Sequence, residues 1–235
     1  MTDFTFPVLL ALDTSTDQAT VGLTNGDLFA ELRWPAGRSQ TTSVLPAIDH
    51  LLTMNGLTMN AIAAIAVAIG PGTFTGLRVG LSIAKGLSLA KDIPLVSIKT
   101  LAITAYPYSG LGRPLLVTLP AGRGRVVWEI HDNGGVSEPH NTTVPELIEV
   151  LVGRPDLFVA GELLPEHRAT IAESHSLIES VGVAGRRGSV LAQLGWERWR
   201  RGDVDDAATL EPIYVHGRPA STAPIEDRLR RKSTR

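Results

Sequence analysis

The stretch VLLALDTSTDQATVGLTNGDLFAELR, residues 8–33, decides the predicted fold. It starts with an apolar run at 8–12, which is typical of a buried strand and ends in a cluster of turn-forming Asp, Thr and Ser residues. Two further strands are predicted at 20–24 and 28–33, because the Asn-Gly pair between them supplies the positive φ angles of a tight β-turn. The chain therefore begins with a buried strand followed by a β-hairpin.

Parallel strands joined by helices are predicted after the hairpin. Apolar residues at helical spacing indicate a helix at 43–54, with Ser43 as its N-cap. A buried strand at 65–69 leads through a glycine-rich loop into an apolar helix at 77–91, and another buried strand follows at 94–98. A hairpin that feeds a parallel sheet is typical of a ribonuclease H-like unit, whereas strands and helices alternate strictly in a Rossmann fold.

The character of the sequence changes after residue 110, where Gly-Arg-Pro at 112–114 marks a subdomain boundary. The second half is predicted to contain strands at 115–119, 126–130 and 157–160 and helices at 145–152 and 189–201. It is less complete than the first half. We therefore predict an α/β chain with one subdomain at 1–110, a reduced second subdomain at 111–217 and a basic tail at 218–235.

The composition excludes several classes of protein. Of the 235 residues, 43% are apolar, so the chain can bury a large core and is not an intrinsically disordered protein. It contains no Cys, which excludes disulfides, thiol nucleophiles and metal sites built on thiolates. The acidic start of the chain and its short apolar runs predict neither a signal peptide nor a membrane span, and we expect a cytoplasmic protein.

The charge is unevenly distributed. The net charge is −2, yet the last eight residues, 228–235, hold five basic side chains and no acid, so the rest of the chain is acidic. A broad basic face for binding RNA is therefore not predicted. The tail is interpreted as solvated, although a disordered basic segment can also add a salt-sensitive attraction to phosphates.

Asp13 ends the first predicted strand, at the edge of an α/β sheet where ligand sites form. A carboxylate there can hold Mg²⁺ or orient a water molecule, and the hydroxyl and N–H groups of Thr14 and Ser15 can approach a phosphate. The same residues are also ordinary turn formers, so a purely structural role is the alternative.

The most distinctive segment is GPGTFTG at 70–76, which lies between a predicted strand and a predicted helix. Its glycines allow close backbone approach, and free N–H groups at the start of a helix bind anions, so a phosphate cradle and a rigid packing turn are both open. The segment matches neither the P-loop nor the GxGxxG pattern. Its candidate phosphate-binding residues are Gly70, Gly72, Thr73, Thr75 and Gly76.

Metal and hydrolase sites have little support in the sequence. The six histidines form no HxxxH, HExxH or HxH pair, and no GxSxG segment is present. We therefore predict no metal site and no esterase nucleophile.

Several segments resemble, in order and spacing, those of the bacterial TsaB (YeaZ) family. They are LLALDTST at 9–16, GPGTFTGLRVG at 70–80, AKGL at 84–87, SIKTL at 97–101 and EPIYV at 211–215. GPGTFTGLRVG is the most specific of them, and the resemblance covers residues 7–215.

This resemblance implies an actin/hexokinase/Hsp70-like (ASKHA) fold of two ribonuclease H-like subdomains, the second reduced. It also implies a role in making N6-threonylcarbamoyladenosine next to the anticodon of tRNA. In that system a separate synthase makes threonylcarbamoyl-adenylate, TsaD transfers the threonylcarbamoyl group to tRNA, TsaB pairs with TsaD, and the ATPase TsaE joins them. The resemblance thus implies TsaD and TsaE as partners, tRNA as an indirect partner, ATP used by the complex, and no tightly bound cofactor.

The residues agree with a noncatalytic member of this system. TsaD holds its metal through an HxxxH pair, and this chain has no such pair to polarise an acyl phosphate. The resemblance therefore implies a subunit that stabilises TsaD rather than a transferase. The alternative is a small ATP-dependent kinase or phosphatase of the same superfamily, which would use Asp13 and the loop at 70–76.

Two positions depart from the family pattern. Gln40-Thr41 stands where many members carry His-Thr or His-Ser, and Pro120-Ala121-Gly122 stands where many carry Asp-Ala-Arg or Asp-Ala-Lys. Both changes remove polar or charged groups from the expected cleft, which puts a ligand site there in doubt and leaves pairing with TsaD untouched.

The resemblance implies a partner surface on the helices at 43–54 and 77–91, which in the family pair with the matching helices of TsaD. The second helix is apolar on almost every face, so it needs cover on more than one side. Some of its leucines must pack on the chain's own sheet, and without TsaD the same surface can form a two-fold homodimer. The candidate interface residues are Leu45, Ile48, Leu52, Gly80, Leu81, Ala84 and Leu89.

Overall fold

The computed structural model describes residues 6–179 and 185–215. The predicted basic tail at 218–235 lies outside these residues. The first sheet consists of five strands, β1 (Val8–Asp13), β2 (Gln18–Thr24), β3 (Phe29–Pro35), β4 (Ile62–Gly70) and β5 (Leu95–Lys99). The helices of this half are α1 (Gln40–Met54), α2 (Phe74–Lys91) and α3 (Thr100–Ala105).

The strands of the first sheet lie in the order β3-β2-β1-β4-β5. The pairs β1–β2 and β2–β3 are antiparallel, and the pairs β1–β4 and β4–β5 are parallel. The turn between β2 and β3 contains Gly26 with a φ of +100°, as the Asn-Gly pair predicts. The predicted ribonuclease H-like order, a hairpin that feeds a parallel sheet, is confirmed.

The second sheet repeats the first in a shorter form. Its elements are β6 (Leu115–Pro120), β7 (Arg125–Asp132), β8 (Gly135–Val136), β9 (His140–Thr143), β10 (Phe158–Gly161), α4 (Val144–Gly153) and α5 (Pro165–Ser174). The order is β10-β6-β7-β8, with β9 also paired to β7, so β8-β7-β6-β10 corresponds to β3-β2-β1-β4. An isolated bridge from Val159 to Ile178 stands at the position of the fifth strand. The ASKHA fold, with a reduced second ribonuclease H-like unit, is therefore confirmed.

Helices cover both faces of the first sheet. Along β1, Leu10 belongs to the apolar cluster that contains residues of α1 and α2. Its neighbours Leu9 and Ala11 belong to a second cluster that contains Leu191 of α6 (Gly188–Arg200). Because successive side chains of a strand point to opposite faces, both faces of β1 are apolar and buried.

Helix α6 packs on the first sheet although it follows the second sheet in the chain. It contacts β1, β2 and β4, and a Cβ at Gly195 would overlap the side chain of Ala66. After α6, the carboxylate of Asp205 accepts a hydrogen bond from the N–H of Ser97 on β5 at 2.6 Å. The prediction of a second subdomain through residue 217 is therefore wrong at its C-terminal end, because α6 buries its apolar side on the first sheet.

Both long helices begin earlier than predicted. Helix α1 begins at Gln40. Ser43 does not cap it; its hydroxyl instead accepts a hydrogen bond from the indole N–H of Trp34 on β3 at 3.1 Å. Helix α2 begins at Phe74, after the N-cap Thr73, whose hydroxyl accepts from the N–H of Gly76 at 3.3 Å. Part of the glycine-rich segment is therefore the first turn of a helix. Within the described part of the chain, no helix is both long and apolar enough to cross a membrane.

Candidate functional site

Two carboxylates meet in the cleft between the sheets. Asp13 is the last residue of β1 and Glu162 directly follows β10, so each lies at the carboxyl end of a strand of its own sheet. Gly161, just before Glu162, has a φ of +109°, and a Cβ there would overlap the carbonyl oxygen of Thr118. Glycine alone fits this turn, which brings Glu162 to the first sheet.

The side chain of Arg186 lies between these carboxylates. Its Nε donates to Asp13 Oδ2 at 2.5 Å, and its Nη1 lies 2.8 Å from Glu162 Oε1 in an ion pair whose angle departs from that of a hydrogen bond. Its Nη2 donates to Thr16 Oγ1 at 3.0 Å and to the carbonyl of Gln18 at 3.1 Å. The side chains of Arg186 and Asp13 are 1% and 0% exposed and that of Glu162 is 12% exposed, so the ion pair with Asp13 is fully buried and Glu162 lies at its edge.

The positive charge of Arg186 is permanent. Burial by itself lowers the pKa of this guanidinium, but the charges of Asp13 and Glu162 outweigh burial and hold the pKa of Arg186 above its ordinary value. The guanidinium thus pairs with carboxylates that a metal ion would otherwise contact. Among the residues that the structure describes, no group of three or more His, Asp or Glu side chains is arranged to hold a metal ion.

The turn that begins at Asp13 directs its polar groups inward. Asp13 Oδ1 accepts a hydrogen bond from the N–H of Ser15 at 2.8 Å, and Thr14 Oγ1 donates to the carbonyl of Gly76 at 2.6 Å. The hydroxyls of Ser15 and Thr100 are hydrogen-bonded at 3.0 Å. Asp13, Thr14 and Ser15 are all buried, so their polar groups serve contacts within the chain.

The glycine-rich loop packs directly on this turn. The N–H of Thr73 donates to the carbonyl of Ser15 at 2.7 Å. A Cβ at Gly72 or Gly76 would overlap the backbone of the turn. The N–H of Gly70 donates to the hydroxyl of Thr100 at 3.1 Å. Thr75 is exposed. These are the contacts of a packing turn. Phosphate binding at this loop stays a prediction, and the close approach of the two backbones counts against it.

The two departures from the family pattern have defined surroundings. Gln40 is buried at the start of α1, and its Nε2 donates to the carbonyls of Thr14 at 3.3 Å and Thr16 at 2.6 Å. The amide therefore holds the turn in place. Between β6 and β7, Gly122 and Arg123 both have positive φ angles, so this segment forms a tight turn.

The predicted interface residues separate into exposed and buried positions. Leu45 is 50% exposed and Leu89 is 85% exposed. The remaining positions, Ile48, Leu52, Gly80, Leu81 and Ala84, are buried within the chain. Their prediction as partner contacts is wrong, because this chain already covers them: the cluster that contains Leu81 is also packed by Ala207 and Ile213, which follow α6.

An exposed cluster of two rings and a guanidinium stands at the start of α2. Phe74 is 56% exposed, the ring of Tyr214 stacks on it with centroids 5.4 Å apart, and the guanidinium of Arg78 lies 3.8 Å from its centroid. Arg78 Nε also donates to the hydroxyl of Tyr214 at 3.2 Å. We call these three residues the Phe74 cluster. It borders a groove of about 350 Å³ that is lined by Thr41, Phe74, Thr75, Arg78, Val79, Ser82 and Ile83.

Similarity to known proteins extends over most of the chain. A family model described as TsaD: tRNA N6-adenosine threonylcarbamoyltransferase matches residues 35–148. The tRNA threonylcarbamoyladenosine biosynthesis protein TsaB of Bacillus subtilis is 29% identical over 93% of this chain and 98% of its own length. The TsaB proteins of Haemophilus influenzae and Escherichia coli are 42% and 34% identical over 41% and 60% of this chain. These two matches span 41% and 64% of the relatives' own lengths.

The fold is also similar to that of a solved structure. YeaZ from Pseudomonas aeruginosa is 25% identical and superposes with a TM-score of 0.67, over 89% of this chain and 100% of that one. These matches support membership of the TsaB/YeaZ family. The two sheets of this chain and the helices packed on them thus form the ASKHA fold that the YeaZ structure also has.

Four of the five TsaB-like segments meet near the start of α2, and AKGL at 84–87 lies further along the same helix. The glycine-rich segment packs on the turn that begins at Asp13. In the segment at 211–215, the N–H of Ile213 donates to the carbonyl of Ile69 near the end of β4 at 2.7 Å, next to the stack of Tyr214 on Phe74. Sequence reasoning did not single out the Phe74 cluster, although its members lie inside the TsaB motifs. It also missed Arg186, which lies in none of the motifs and is distant from Asp13 in the sequence.

Proposed function

We propose that this chain is a noncatalytic subunit of the system that makes N6-threonylcarbamoyladenosine in tRNA. In this proposal it pairs with and activates the TsaD transferase, and the ATPase TsaE joins the pair. Membership of the TsaB family supports the pathway, because the relatives carry this biosynthesis in their names. The match to the TsaD model supports kinship with the transferase that would be the partner.

The observation that carries the proposal is the exposed Phe74 cluster. Aromatic and Arg side chains are enriched at the energetic centres of protein interfaces. Arg78 and Tyr214 hold the ring of Phe74 in one position, so little side-chain freedom remains to be lost when a partner binds. The cluster lies where the TsaB motifs meet, which is the position expected of a surface that serves a function common to the family.

The surroundings of the cluster suit a helical partner. The adjacent groove includes Val79 and Ile83 of α2 in its lining. Leu45 of α1 and Leu89 of α2 add exposed apolar side chains to the same two helices. An apolar helix of a partner laid along α1 and α2 would bury these side chains, and in this proposal TsaD supplies that helix.

A catalytic role for Asp13 conflicts with its contacts. One carboxylate oxygen accepts from Ser15 and the other is held by Arg186. An ATP-dependent kinase or phosphatase that holds Mg²⁺ through Asp13 would first have to remove this guanidinium from the cleft. The noncatalytic role requires no such rearrangement.

Binding to TsaD tests the proposal. Purified TsaD from the same organism is titrated with the wild-type chain, with Phe74→Ala and with the matched control Phe29→Ala, whose ring is 46% exposed on the edge strand β3. We expect Phe74→Ala to weaken binding by about tenfold or more and Phe29→Ala to bind like the wild type. A wild-type chain that forms only homodimers and does not bind TsaD contradicts the proposal, as does an equal loss in both variants.

A further inference from the structure

Arg186 connects the two sheets through its side chain. The guanidinium contacts Asp13 at the end of β1 and Glu162 after β10. The backbone just beyond it is fixed to the first sheet, because the N–H of Ser189 donates to Glu31 Oε2 on β3 at 2.8 Å. The charged end of Arg186 therefore reaches from a segment anchored on the first sheet to a carboxylate of the second.

We propose that Arg186 is a built-in cation that stands where a divalent ion would bind and latches the two sheets together. Asp13 Oδ2 and Glu162 Oε1 both lie within 2.8 Å of this one guanidinium. Without it, the buried carboxylate of Asp13 and the largely covered carboxylate of Glu162 would face each other, and like charges that are poorly screened by water repel strongly. A cation is thus required at this position, and the chain supplies it covalently.

The donor set around the guanidinium is the one that a small divalent ion takes. It comprises the carboxylates of Asp13 and Glu162 and the hydroxyl of Thr16, which donates to Glu162 Oε2 at 2.7 Å and accepts from Arg186. Such oxygen ligands suit Mg²⁺ and Mn²⁺. Because the guanidinium occupies the position, the wild-type chain keeps its sheets joined without any ion. This inference is independent of the partner proposed above.

Replacement of Arg186 tests both parts of the proposal. Arg186→Gln is compared with Arg125→Gln, which removes a guanidinium whose Nε donates to Asn141 Oδ1 at 2.9 Å within the second sheet. We expect Arg186→Gln to lower Tm by about 10 °C, because the buried Asp13 and the largely covered Glu162 both lose their partner. Millimolar MnCl₂ should restore most of that loss. The Tm values of the wild type and of Arg125→Gln should not change with MnCl₂.

Hydrogen exchange of the backbone at 158–162, which comprises β10 and Glu162, measures how firmly Arg186 holds the second sheet to the first. We expect faster exchange in Arg186→Gln than in the wild type and slower exchange again when MnCl₂ is added. The proposal is overturned if the Tm of Arg186→Gln does not respond to MnCl₂, or if this variant stays unfolded with the ion present.

A neutral variant keeps the latch testable when Arg186→Gln does not fold in the absence of the ion. The combination of Asp13→Asn, Glu162→Gln and Arg186→Gln carries no buried charge at this position. We expect it to fold, to ignore MnCl₂ and to exchange faster than the wild type at 158–162. Wild-type exchange in this variant would overturn the latch.

Discussion

The rings of Phe74 and Tyr214 stack with their centroids 5.4 Å apart, although they come from distant parts of the chain. Phe74 is the first residue of α2, whereas Tyr214 lies in the segment that follows α6. The stack therefore forms only when the chain has crossed the second sheet and returned to the first. The proposed partner surface depends on the completed fold rather than on α2 alone.

Leu81 and Leu89 lie on the same helix in opposite surroundings, since Leu81 is 5% exposed and Leu89 is 85% exposed. We expect Leu81→Glu to lower the free energy of unfolding by about 3 kcal/mol or more, because its carboxylate would be buried without a partner. Leu89→Glu should change it by about 0.5 kcal/mol or less. Circular dichroism melts measure both variants, and a stable Leu81→Glu chain would contradict the position of Leu81 in the core.

Gly80 and Gly86 form a matched pair within α2. A Cβ at Gly86 would meet no atom within 4 Å, so we expect Gly86→Ala to raise the free energy of unfolding by about 0.5–1 kcal/mol. A Cβ at Gly80 would overlap Thr14 Oγ1, which donates to the carbonyl of Gly76. We expect Gly80→Ala to lower the free energy of unfolding by about 1–3 kcal/mol. Urea unfolding curves measure the free energy of unfolding of both variants. Equal changes would contradict the close contact of α2 with Thr14.

Asp13 provides the test of the kinase or phosphatase alternative. Both of its carboxylate oxygens are engaged, by Ser15 and by Arg186. We therefore expect calorimetric titration with Mg·ATP to give the same result for the wild type, for Asp13→Asn and for the control Asp17→Asn, whose side chain is exposed. Saturable binding that Asp13→Asn alone abolishes would instead favour the alternative.

The start of α4 makes part of the stability pH-dependent. Glu146 Oε2 accepts from the N–H of Thr143 at 2.7 Å and from its hydroxyl at 2.9 Å, and these hydrogen bonds hold the pKa of Glu146 below its ordinary value. With a lowered folded pKa, the stabilisation is complete above the unfolded pKa of about 4.3 and is lost as pH falls through the folded pKa.

Two substitutions separate this effect from other acid-labile contacts. We expect Thr143→Ala to cost about 1 kcal/mol at neutral pH. Glu146→Gln should be less stable than the wild type at neutral pH, and the difference should shrink in acid. Thermal melts from neutral to acidic pH provide the measurement. If the wild type and Glu146→Gln lose stability in parallel, Glu146 does not contribute this dependence.

The first sheet was predictable because its strands carry local signals. The buried strands at the centre of the sheet are continuous apolar runs, and the Asn-Gly pair at 25–26 marks the hairpin. Strand β9 and helix α5 lack such signals. The segment that forms β9, His140–Thr143, is polar throughout, and α5 buries only Ile171, so neither has an apolar period.

The candidate site was less predictable because its contacts join distant residues. Nothing near Arg186 in the sequence indicates that it pairs with Asp13 and Glu162. The assignment of Leu81 to a partner surface failed for a similar reason. The apolar character of α2 was correctly identified, but part of its cover comes from Ala207 and Ile213, which the chain brings back after the second sheet.

The rate of tRNA modification in a reconstituted system tests the proposed role most directly. Purified TsaD, TsaE, the threonylcarbamoyl-adenylate synthase, Mg·ATP and unmodified tRNA are combined with the wild-type chain, with Phe74→Ala, with Phe29→Ala or with no added chain. We expect full formation of N6-threonylcarbamoyladenosine with the wild type and Phe29→Ala, and strongly reduced formation with Phe74→Ala or without the chain. Modification at the full rate in the absence of this chain would contradict its role as a required subunit.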